Sequence, residues 1–384
     1  MKIAFDVSQV GPGKAGCGFY AASLMDGLLA AGSSHSFTLL TSFGDFYHNA
    51  SMALAFPWRS SGVAYGPRHL RRTDAEKFWR SEPDVKQLLE AHDLCHANNF
   101  WSPPWPIQSR LIYTLYDISF AEHPGWNRSK NRLGCFHGVL NAALYADWFI
   151  AISESTKRAF LHHFPHVESG RIRVIYPASR FDQPGFQVTP QRPSAALFAT
   201  QQPFLLSVGT LEPRKNQRFL LDVYQRFRER GGPAVPLVLA GGRGWLMEDF
   251  VDFLKASPWC QDIHWLGFVS EAELAWLYRH CLAMLYPSHY EGFGLPLLEA
   301  MAMGAAVVSS NRTSMPEIVG DGGILLAPDD RDGWVEALEV LCADSIRRQK
   351  LSSAGRRRAR LFDWQRSTRQ LLDHYDEALQ TRPA

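Results

Sequence analysis

The chain has 384 residues, of which 46% are hydrophobic and 20% are charged, and its formal net charge at pH 7 is +2. This length exceeds what one hydrophobic core usually serves, so we expect an ordinary soluble globular protein of two domains. The near-neutral charge gives no electrostatic reason to expect nucleic acid as a partner. Six scattered cysteines without a CxxC pair favour reduced structural thiols over a disulfide frame or a zinc site.

The start of the chain, MKIAFDVSQV, predicts a strand and lacks the pattern of a secretion signal. No apolar run reaches the ~18 residues that a membrane-spanning helix needs. We therefore expect a cytoplasmic protein, which either stays in solution or rests peripherally on the inner face of the cell membrane.

The first block of the chain reads as alternating strands and helices. The apolar runs predict strands at 2–7, 37–41, 93–97, 110–115, 148–153 and 172–176, and helices at about 18–31, 131–146 and 155–164. The following stretch, residues 178–202, is rich in Pro, Gln, Ser and Gly with weak periodicity, which is typical of a linker.

A second block repeats the alternation. It predicts strands at 204–208, 237–240, 263–266, 284–286, 305–309 and 324–326, and helices at 217–230, 245–255, 271–280 and 332–342. Such alternation indicates an α/β fold in which parallel sheets carry helices on both faces. We predict two Rossmann-like domains, 1–180 and 203–362, a linker at 181–202, and a last helical segment, 363–384, that crosses back to the first domain. Because such sheets bind ligands at the carboxyl ends of their strands, we expect the site in a central cleft that both sheets face.

Two glutamates, Glu291 and Glu299, stand eight positions apart around a glycine-rich turn. A buried strand is predicted before the turn and a helix after it, and Pro296 suits the first turn of that helix. The start of a helix offers unpaired backbone N–H groups at which a phosphate can bind. The two acids can therefore line one cleft without a contact between their side chains.

Two adjacent cations, Arg214 and Lys215, lie in the segment GTLEPRKN (209–216) between a predicted strand and a predicted helix. Positive charge at a helix N-terminus opposes the helix dipole by ~0.3–1 kcal/mol, and a bound anion would remove that conflict. Arginine offers a planar fork and lysine a compact charge, so the pair suits a diphosphate. The alternative is a pair of solvated cations at a helix start.

The first-domain turn, residues 11–16, fits G-x-G-x-x-G between a strand and a helix, as in nicotinamide-dependent oxidoreductases. That class needs an acidic residue at the end of the second strand, where this chain reads Leu39-Leu40-Thr41-Ser42. A glycine loop that faces a sugar or an acceptor fits better. An oxidoreductase and a non-catalytic sugar-nucleotide binding protein remain as alternative functions.

Other residues carry weaker signals. Asp330-Arg331-Asp332 matches the D-x-D of metal-dependent sugar transferases, but its position before a helix favours a capping role. Asp117, after a predicted strand, suits either a loop cap or a substrate contact. Trp101, Trp105 and Trp126 suit either stacking on sugar rings or packing.

Together these segments resemble the family 4 retaining glycosyltransferases, also called group 1 glycosyl transferases, which have the GT-B fold. The resemblance spans nearly the whole chain in the right order, and within the family it looks most like bacterial mannosyltransferases of surface polysaccharides such as O-antigen. Glu291 through Glu299 corresponds to the family's E-x7-E signature. The matching segments are GTLEPRKN (209–216), LGFVSEAELAWLY (266–278), YPSHYEGFGLPLLEAMAMGAAVVSSN (286–311), MPEIVGDGGILLAPDD (315–330), ADWFIAISESTKRAF (146–160) and RIRVIYPA (171–178).

The resemblance implies roles for individual residues. Glu291 would contact hydroxyls of the donor sugar and Glu299 the ribose. Arg214 and Lys215 would hold the diphosphate and stabilise the charge that develops as it leaves. Gly292, Phe293, Gly294 and Leu295 would present backbone N–H groups to the sugar and the diphosphate. Phe268 and Val269 would line the base pocket, and Gly16 and Gly18 would belong to the first-domain loop that approaches the diphosphate. Gly209 would be a further residue of the donor site.

One position departs from the family. Many relatives carry a histidine where this chain has Tyr116, beside an aspartate that corresponds to Asp117, near the donor sugar and phosphate. A tyrosine donates a hydrogen bond but carries no positive charge near neutral pH, which argues against a histidine-assisted step. Asp117 stays among the catalytic candidates, and Tyr116 is a further candidate for the site.

Breaking a sugar–phosphate bond places negative charge on the diphosphate, which cations and oriented N–H groups stabilise. Because Arg214, Lys215 and a helix N-terminus supply both, we expect transfer without a metal or other cofactor, and the family resemblance implies retention at the anomeric carbon. GDP-mannose is the expected donor, and UDP-sugars are the alternative. The expected acceptor is a glycan, either free or linked to a polyprenyl carrier.

Overall fold

The computed structural model describes residues 1–11, 16–32, 34–45, 48–54, 57–60, 62–182, 187–195, 202–247 and 249–381. The chain forms two units by its internal contacts. Unit 1 comprises the described residues of Met1–Pro124, Ser129–Pro177 and Trp364–Ala384, and unit 2 comprises those of Gly125–Arg128 and Ala178–Asp363. Of the predicted linker at 181–202, residues 183–186 and 196–201 lie outside the described part.

Unit 1 contains seven strands and a series of helices between them. The strands are β1 (Lys2–Asp6), β2 (Ser36–Leu40), β3 (Val63–Tyr65), β4 (Leu94–Ala97), β5 (Arg110–Leu115), β6 (Trp148–Ala151) and β7 (Ile172–Val174). The helices are α1 (Gly16–Ala30), α2 (Ala50–Ala53), α3 (Arg72–Trp79), α4 (Glu82–Leu89), α5 (Ser119–Glu122), α6 (Ser129–Tyr145) and α7 (Glu154–His163).

The strands of unit 1 form one parallel sheet in the order β3-β2-β1-β4-β5-β6-β7. Strands β4 and β6 are buried at every residue, as expected for parallel strands that helices cover on both faces. Ser153 begins α7 by accepting a hydrogen bond from Thr156 N at 2.9 Å, which satisfies one of the unpaired donors of the first turn.

Unit 2 repeats this construction with six strands. The strands are β8 (Phe204–Val208), β9 (Leu237–Ala240), β10 (Ile263–Gly267), β11 (Cys281–Tyr286), β12 (Val307–Ser310) and β13 (Ile324–Leu326). The helices are α8 (Gln217–Glu229), α9 (Phe250–Ala256), α10 (Glu271–His280), α11 (Leu295–Met303), α12 (Met315–Val319), α13 (Arg331–Ala343) and α14 (Ser345–Ala359). The parallel sheet has the order β10-β9-β8-β11-β12-β13.

A last helix, α15 (Trp364–Gln380), follows unit 2 in sequence but belongs to unit 1. It packs along α1 and buries Leu371 and Tyr375 completely. The Tyr375 hydroxyl and His96 Nδ1 share a hydrogen bond of 2.6 Å inside unit 1. Among the described residues, no helix is both long and apolar enough to cross a membrane.

Each sheet has one point at which the order of strands reverses. In unit 1 this point lies between β1 and β4, and in unit 2 it lies between β8 and β11. Open α/β sheets bind their ligands outside the carboxyl ends of the strands at such a point. In unit 2 the two loops there carry residues 209–216 and 287–294, which are the segments that the sequence predicts to bind a donor.

Most predicted elements are present with ends that differ by one or two residues, but some predictions were wrong. β3 and α4 lie where no element was predicted. The helix predicted at 245–255 begins only at Phe250. Leu246 has left-handed backbone angles (φ 57°), which a right-handed helix excludes, so the local helical pattern is not followed there.

Candidate functional site

A short 3-10 turn after β8, Pro213–Lys215, carries the two cations that the sequence singles out. Asn216 ends this turn with left-handed backbone angles (φ 59°), and α8 begins at the next residue. The Asn216 amide donates hydrogen bonds to the carbonyl oxygens of Pro287 (3.2 Å) and Pro328 (2.9 Å). These bonds join the loop after β8 to the loop after β11 and thereby fix the position of the cations.

Arg214 and Lys215 both bond the carboxylate of Glu291. Arg214 places one guanidinium nitrogen 2.9 Å from Glu291 Oε2 and the other 2.6 Å from Glu212 Oε1. Lys215 Nζ lies 2.7 Å from Glu291 Oε1 and 2.7 Å from the Tyr286 hydroxyl. Each oxygen of Glu291 is thus bonded by a different cation.

The electrostatics of this cluster favour an ionised Glu291. Burial alone would raise the pKa of Glu291, but Arg214 and Lys215 outweigh it and lower that pKa to about 2. Burial lowers the pKa of Lys215, against the opposing effect of Glu291. Glu212 and Glu291 thus balance the charge of the two cations within unit 2.

The glycine-rich turn after β11 is held from within unit 2. Glu291 N lies 3.0 Å from Thr313 Oγ1, and the Ser314 hydroxyl lies 2.9 Å from Glu291 O and 2.7 Å from Phe293 O. Gly294 has a φ of 111°, which an L side chain would strain, and α11 begins directly after it with its proline in the first turn. The predicted order of strand, turn and helix is therefore confirmed, with Gly292 in the turn and Leu295 as the first residue of α11.

Glu299 projects from α11 into a separate buried set of partners. Its Oε1 lies 2.6 Å from Arg180 Nε, and its Oε2 accepts a hydrogen bond from the Tyr278 hydroxyl at 3.2 Å. Only 1% of its side chain is exposed. Burial raises the pKa of Glu299, against the opposing effects of Arg180 and Tyr278. The two glutamates of the motif therefore bond different residues, as their spacing predicts.

Three further residues of the predicted donor site lie at strand ends of unit 2. Phe268 and Val269 follow β10, and the Phe268 side chain is 76% exposed. Gly209 follows β8 with a φ of 150°. A Cβ on Gly241 would lie 2.0 Å from Gly209 O, so the two backbones meet too closely for a side chain at that point.

Tyr116 and Asp117 lie after β5 in unit 1 and bond within that unit. The Tyr116 hydroxyl lies 2.7 Å from Asn98 Oδ1, and burial raises the pKa of Tyr116 well above its usual value. Asp117 Oδ1 accepts hydrogen bonds from Ser119 N (3.1 Å) and Ser119 Oγ (2.9 Å). The structure therefore shows the loop-capping role that the sequence allows for Asp117, and its predicted catalytic role stays a prediction.

The first-domain glycine loop is described only at its ends. Residues 12–15 lie outside the described part, and Gly16 and Gly18 lie in the first turn of α1, where Gly16 is exposed and Gly18 is buried. Strand β2 ends at Leu40, and the next two residues are Thr41 and Ser42. The acidic residue that a nicotinamide site needs is thus absent at this strand end.

The three tryptophans with two possible roles are packed in the structure. Trp101 lies edge-to-face with Trp79 at a centroid distance of 5.2 Å, and Trp105 packs against the core of unit 1. Trp126 stacks on His289 within unit 2, with centroids 5.8 Å apart and planes 13° apart. The packing interpretation accounts for the contacts of each ring.

Asp330 has the capping role predicted from its sequence position. Its Oδ1 accepts a hydrogen bond from Gly333 N at 3.0 Å at the start of α13. Within the described residues, no group of three or more His, Cys, Asp or Glu side chains is arranged to hold a metal ion.

Four residues of the site were not predicted. Glu212 stands two positions before Arg214 in the GTLEPRKN segment, so its acidity beside two cations is a signal that could have found it. Tyr278 and Tyr286 stand at the ends of segments that resemble the family but had no predicted role, and Arg180 lies in none of these segments. Only the fold brings the three to the two glutamates.

Comparison with known proteins adds sequence relatives. A family model described as "Glycosyl transferases group 1" matches residues 190–358. O-antigen chain mannosyltransferase B from Escherichia coli is 32% identical over 290 residues, which cover 73% of each chain. The serotype-specific mannosyltransferase WbdA, also from Escherichia coli, is 26% identical over 62% of this chain and 29% of that longer protein.

Solved structures with a similar fold cover nearly the whole chain. Sucrose-phosphate synthase from Thermosynechococcus elongatus has a TM-score of 0.73 and 21% identity over 98% of both chains. Anabaena HepE, solved in complex with UDP-glucose, has a TM-score of 0.72 and 19% identity over 98% of this chain and 100% of that chain. At these identities the likeness shows the fold alone.

Proposed function

Because the chain belongs to the group 1 glycosyl transferases and has the GT-B fold, we propose that it moves mannose from GDP-mannose to a glycan acceptor with retention of anomeric configuration. The mannose donor is supported by the 32% identity to the O-antigen mannosyltransferase. The glycan acceptor, free or polyprenyl-linked, rests on the same relative. Contact with the inner face of a membrane is part of the proposal, because a polyprenyl carrier would lie there.

The observation that carries the proposal is the cluster of Arg214, Lys215 and Glu291 beside the strand-order reversal of unit 2. Two cations and a helix start meet where open α/β sheets bind nucleotides. Since Glu212 and Glu291 already offset the two positive charges, backbone N–H groups of the glycine-rich turn must add to the attraction for a diphosphate. The proposed donor therefore binds through both kinds of group.

The chemistry follows from the charges. The bond between the anomeric carbon and the diphosphate oxygen breaks, and an acceptor oxygen bonds to that carbon. The nucleoside diphosphate departs with the bonding electron pair, and the acceptor proton passes to it or to water. Arg214 and Lys215 would stabilise the negative charge on the departing diphosphate, a kind of contact typically worth about 3–4 kcal/mol per donor group. With these groups supplying the stabilisation, we propose that no divalent metal is required.

The remaining roles follow the family resemblance. Glu291, held ionised by its two cations, would accept hydrogen bonds from donor-sugar hydroxyls, and Glu299 would accept them from the ribose. Phe268 and Val269 would line the base. The roles predicted for Gly16, Gly18, Tyr116 and Asp117 in unit 1 stay predictions.

The test is nucleotide release from a panel of donors: GDP-mannose, UDP-glucose and UDP-N-acetylglucosamine, each with a mannose-containing acceptor, in EDTA or in magnesium. We expect GDP release from GDP-mannose at equal rates in both media. Proton NMR of the product should show the α-linkage of the donor retained.

Each part of the proposal has its own contrary result. Faster release of UDP would make the donor a UDP-sugar, and a β-linked product would make the enzyme inverting. Loss of activity in EDTA that magnesium restores would overturn the metal-free mechanism. No release from any donor would overturn transferase activity itself and leave a sugar-nucleotide binding protein.

A further inference from the structure

Arg180 lies where unit 2 resumes after unit 1, in the 3-10 turn Arg180–Asp182 that packs on α11. Its side chain is 15% exposed, and its Nε lies 2.6 Å from Glu299 Oε1. A second guanidinium nitrogen lies 3.7 Å from Glu271 Oε1. An arginine this buried needs carboxylates beside it, because an unpaired buried charge is strongly unfavourable.

The Glu299 carboxylate is fixed from two sides. Arg180 occupies one lone pair of Oε1, and the Tyr278 hydroxyl, 3.2 Å away, occupies one lone pair of Oε2. An ionised carboxylate has about four lone-pair sites. One site on each oxygen therefore remains, which is the number of acceptor sites that the two hydroxyls of a diol need.

We propose that Arg180 is a positioning residue that holds Glu299 ionised and in the one rotation that accepts both hydroxyls of the donor ribose. The inference rests on the proposed function, because it assigns a positioning partner to the glutamate proposed to bind the ribose. The inference goes beyond the proposed function because it names Arg180, a residue outside every motif of the chain, as one that sets the preference for ribonucleotides over 2′-deoxynucleotides.

Charge supports this assignment. Burial works against the ionised form of Glu299, and Arg180 is the largest influence that opposes burial. Without the guanidinium, the carboxyl would hold its proton to a higher pH and turn a lone pair into a donor. A protonated carboxyl accepts one hydroxyl less well and repels the second donor, so the diol would lose its match.

The experiment measures binding, by calorimetry, of GDP and 2′-deoxy-GDP and of UDP and 2′-deoxy-UDP. The proteins are the full-length wild type, Arg180→Met, Glu299→Gln and the double variant. For the wild type we expect the ribonucleotide of one base to bind roughly 10- to 100-fold more tightly than its deoxy form, as expected for a hydrogen bond to a charged acceptor. Arg180→Met should abolish that ratio mainly by weakening the ribonucleotide.

The double variant separates positioning from a direct contact. If Arg180 acts through Glu299, adding Arg180→Met to Glu299→Gln should change neither affinity by more than about twofold, since coupled residues are not additive. The double variant also leaves no unpaired buried carboxylate, so thermal melting of both variants separates a loss of fold in Arg180→Met from a loss of positioning. Arg360→Met, the same change at an exposed arginine that acts on Asp182 of the same turn, should leave the ratio unchanged.

Two further measurements test the positioning role. Arg180→Lys should recover part of the ribonucleotide-to-deoxynucleotide affinity ratio that Arg180→Met loses. In steady-state kinetics, Arg180→Met should raise the donor KM by about the factor by which it weakens nucleotide binding, while kcat stays within about threefold of the wild type. A wild-type ratio near one, an unchanged ratio in Arg180→Met, or additive effects in the double variant would overturn the inference and leave the proposed function standing. A wild type that binds neither GDP nor UDP would overturn both.

Discussion

Each cation in the loop after β8, Arg214 and Lys215, has a carboxylate partner within unit 2. Arg214 bonds Glu212 and Glu291, and Lys215 bonds Glu291 and Tyr286. A diphosphate that binds here must therefore share donors with Glu291 and not simply fill an unneutralised positive site. The arrangement gives the cations little freedom to reorganise, which is what electrostatic stabilisation of a transition state requires.

Arg214→Lys and Lys215→Met should each lower turnover by roughly 10²- to 10³-fold, because each removes oriented donors from the departing diphosphate. Single-turnover rates with saturating donor measure this. Removing one partner of a buried ion pair costs about 3–5 kcal/mol of folding free energy. Arg214→Lys keeps a positive charge beside Glu291 for that reason, and thermal melting checks the fold of both variants.

Arg218→Lys is the matched control for this pair of variants. Arg218 lies in the first turn of α8, four positions after Arg214, with 44% of its side chain exposed and Asp249 as its partner. The control should turn over at the wild-type rate. Wild-type rates in Arg214→Lys and Lys215→Met as well would mean that the diphosphate binds elsewhere.

Two buried histidines should each contribute a loss of stability of unit 1 in acid. Burial lowers the pKa of His96 to about 3 and that of His374 to about 4, whereas an unfolded chain protonates histidine near about 6.5. Between these values the histidines bind more protons in the unfolded state, so their contribution to the free energy of unfolding drops as pH falls below about 6.5. The buried Asp6 carboxyl, whose pKa burial raises to about 7, contributes in the opposite direction over the same range, so the histidine effect is read from the difference between variant and wild type. For His96 alone the loss at pH 5 is about 2 kcal/mol.

His96→Asn tests this dependence. We expect lower stability at pH 8, because the hydrogen bonds to Tyr375 and Thr114 are weakened, but a smaller further loss between pH 8 and pH 5 than in the wild type. Hydrogen exchange of β4 and α15 peptides in denaturant reports on unit 1. Parallel pH dependence in variant and wild type would show that His96 does not titrate as inferred.

At the scale of the element, α6 illustrates packing that only a glycine allows. A Cβ at Gly138 would lie 1.9 Å from Phe100 O and 2.7 Å from Phe100 C. Both obstacles are backbone atoms, so they cannot rotate away as a side chain would. The helix therefore tolerates a residue of poor helix propensity in its interior.

Gly138→Ala should destabilise unit 1 by about 1–3 kcal/mol, the usual cost of overpacking, although alanine favours a helix by ~1 kcal/mol. Denaturant unfolding measures the difference. Gly170→Ala, at a site with nothing within 4 Å of the added Cβ, should stay within about 0.5 kcal/mol of the wild type. Equal stability of Gly138→Ala and the control would show that α6 can shift away from Phe100.

Helices and strands were predictable where the residues that determine them lie within one short segment of the chain. Ser270 and Glu273 form a capping box before α10, and the predicted and observed helices agree at Glu271–His280. The helix predicted at 245–255 fails at its start, where Leu246 takes left-handed backbone angles that the apolar pattern does not reveal. β3 has three residues with none fully buried, which leaves too little apolar periodicity to recognise.

At the scale of the whole molecule, the α/β alternation was predictable because its apolar pattern repeats along the chain. The loops after β8 and β11 were predictable because each has a local pattern directly after a strand. The ion pair between Arg180 and Glu299 joins residues 119 positions apart and follows no pattern. The place of Trp126 in unit 2 was not predictable either, since the chain on both sides of the short segment Gly125–Arg128 belongs to unit 1. Long-range partners of this kind depend on the folded chain.

Helix α15 has a consequence for how the molecule is made. The chain passes between the units four times, at residues 124/125, 128/129, 177/178 and 363/364. Domains generally fold in the order in which the ribosome releases them. Here the partner that α1 and His96 need is synthesised only after all of unit 2. Unit 1 therefore begins to fold first and finishes last. Until α15 is synthesised, the apolar surface of unit 1 that this helix covers is exposed, and a chaperone would bind it there.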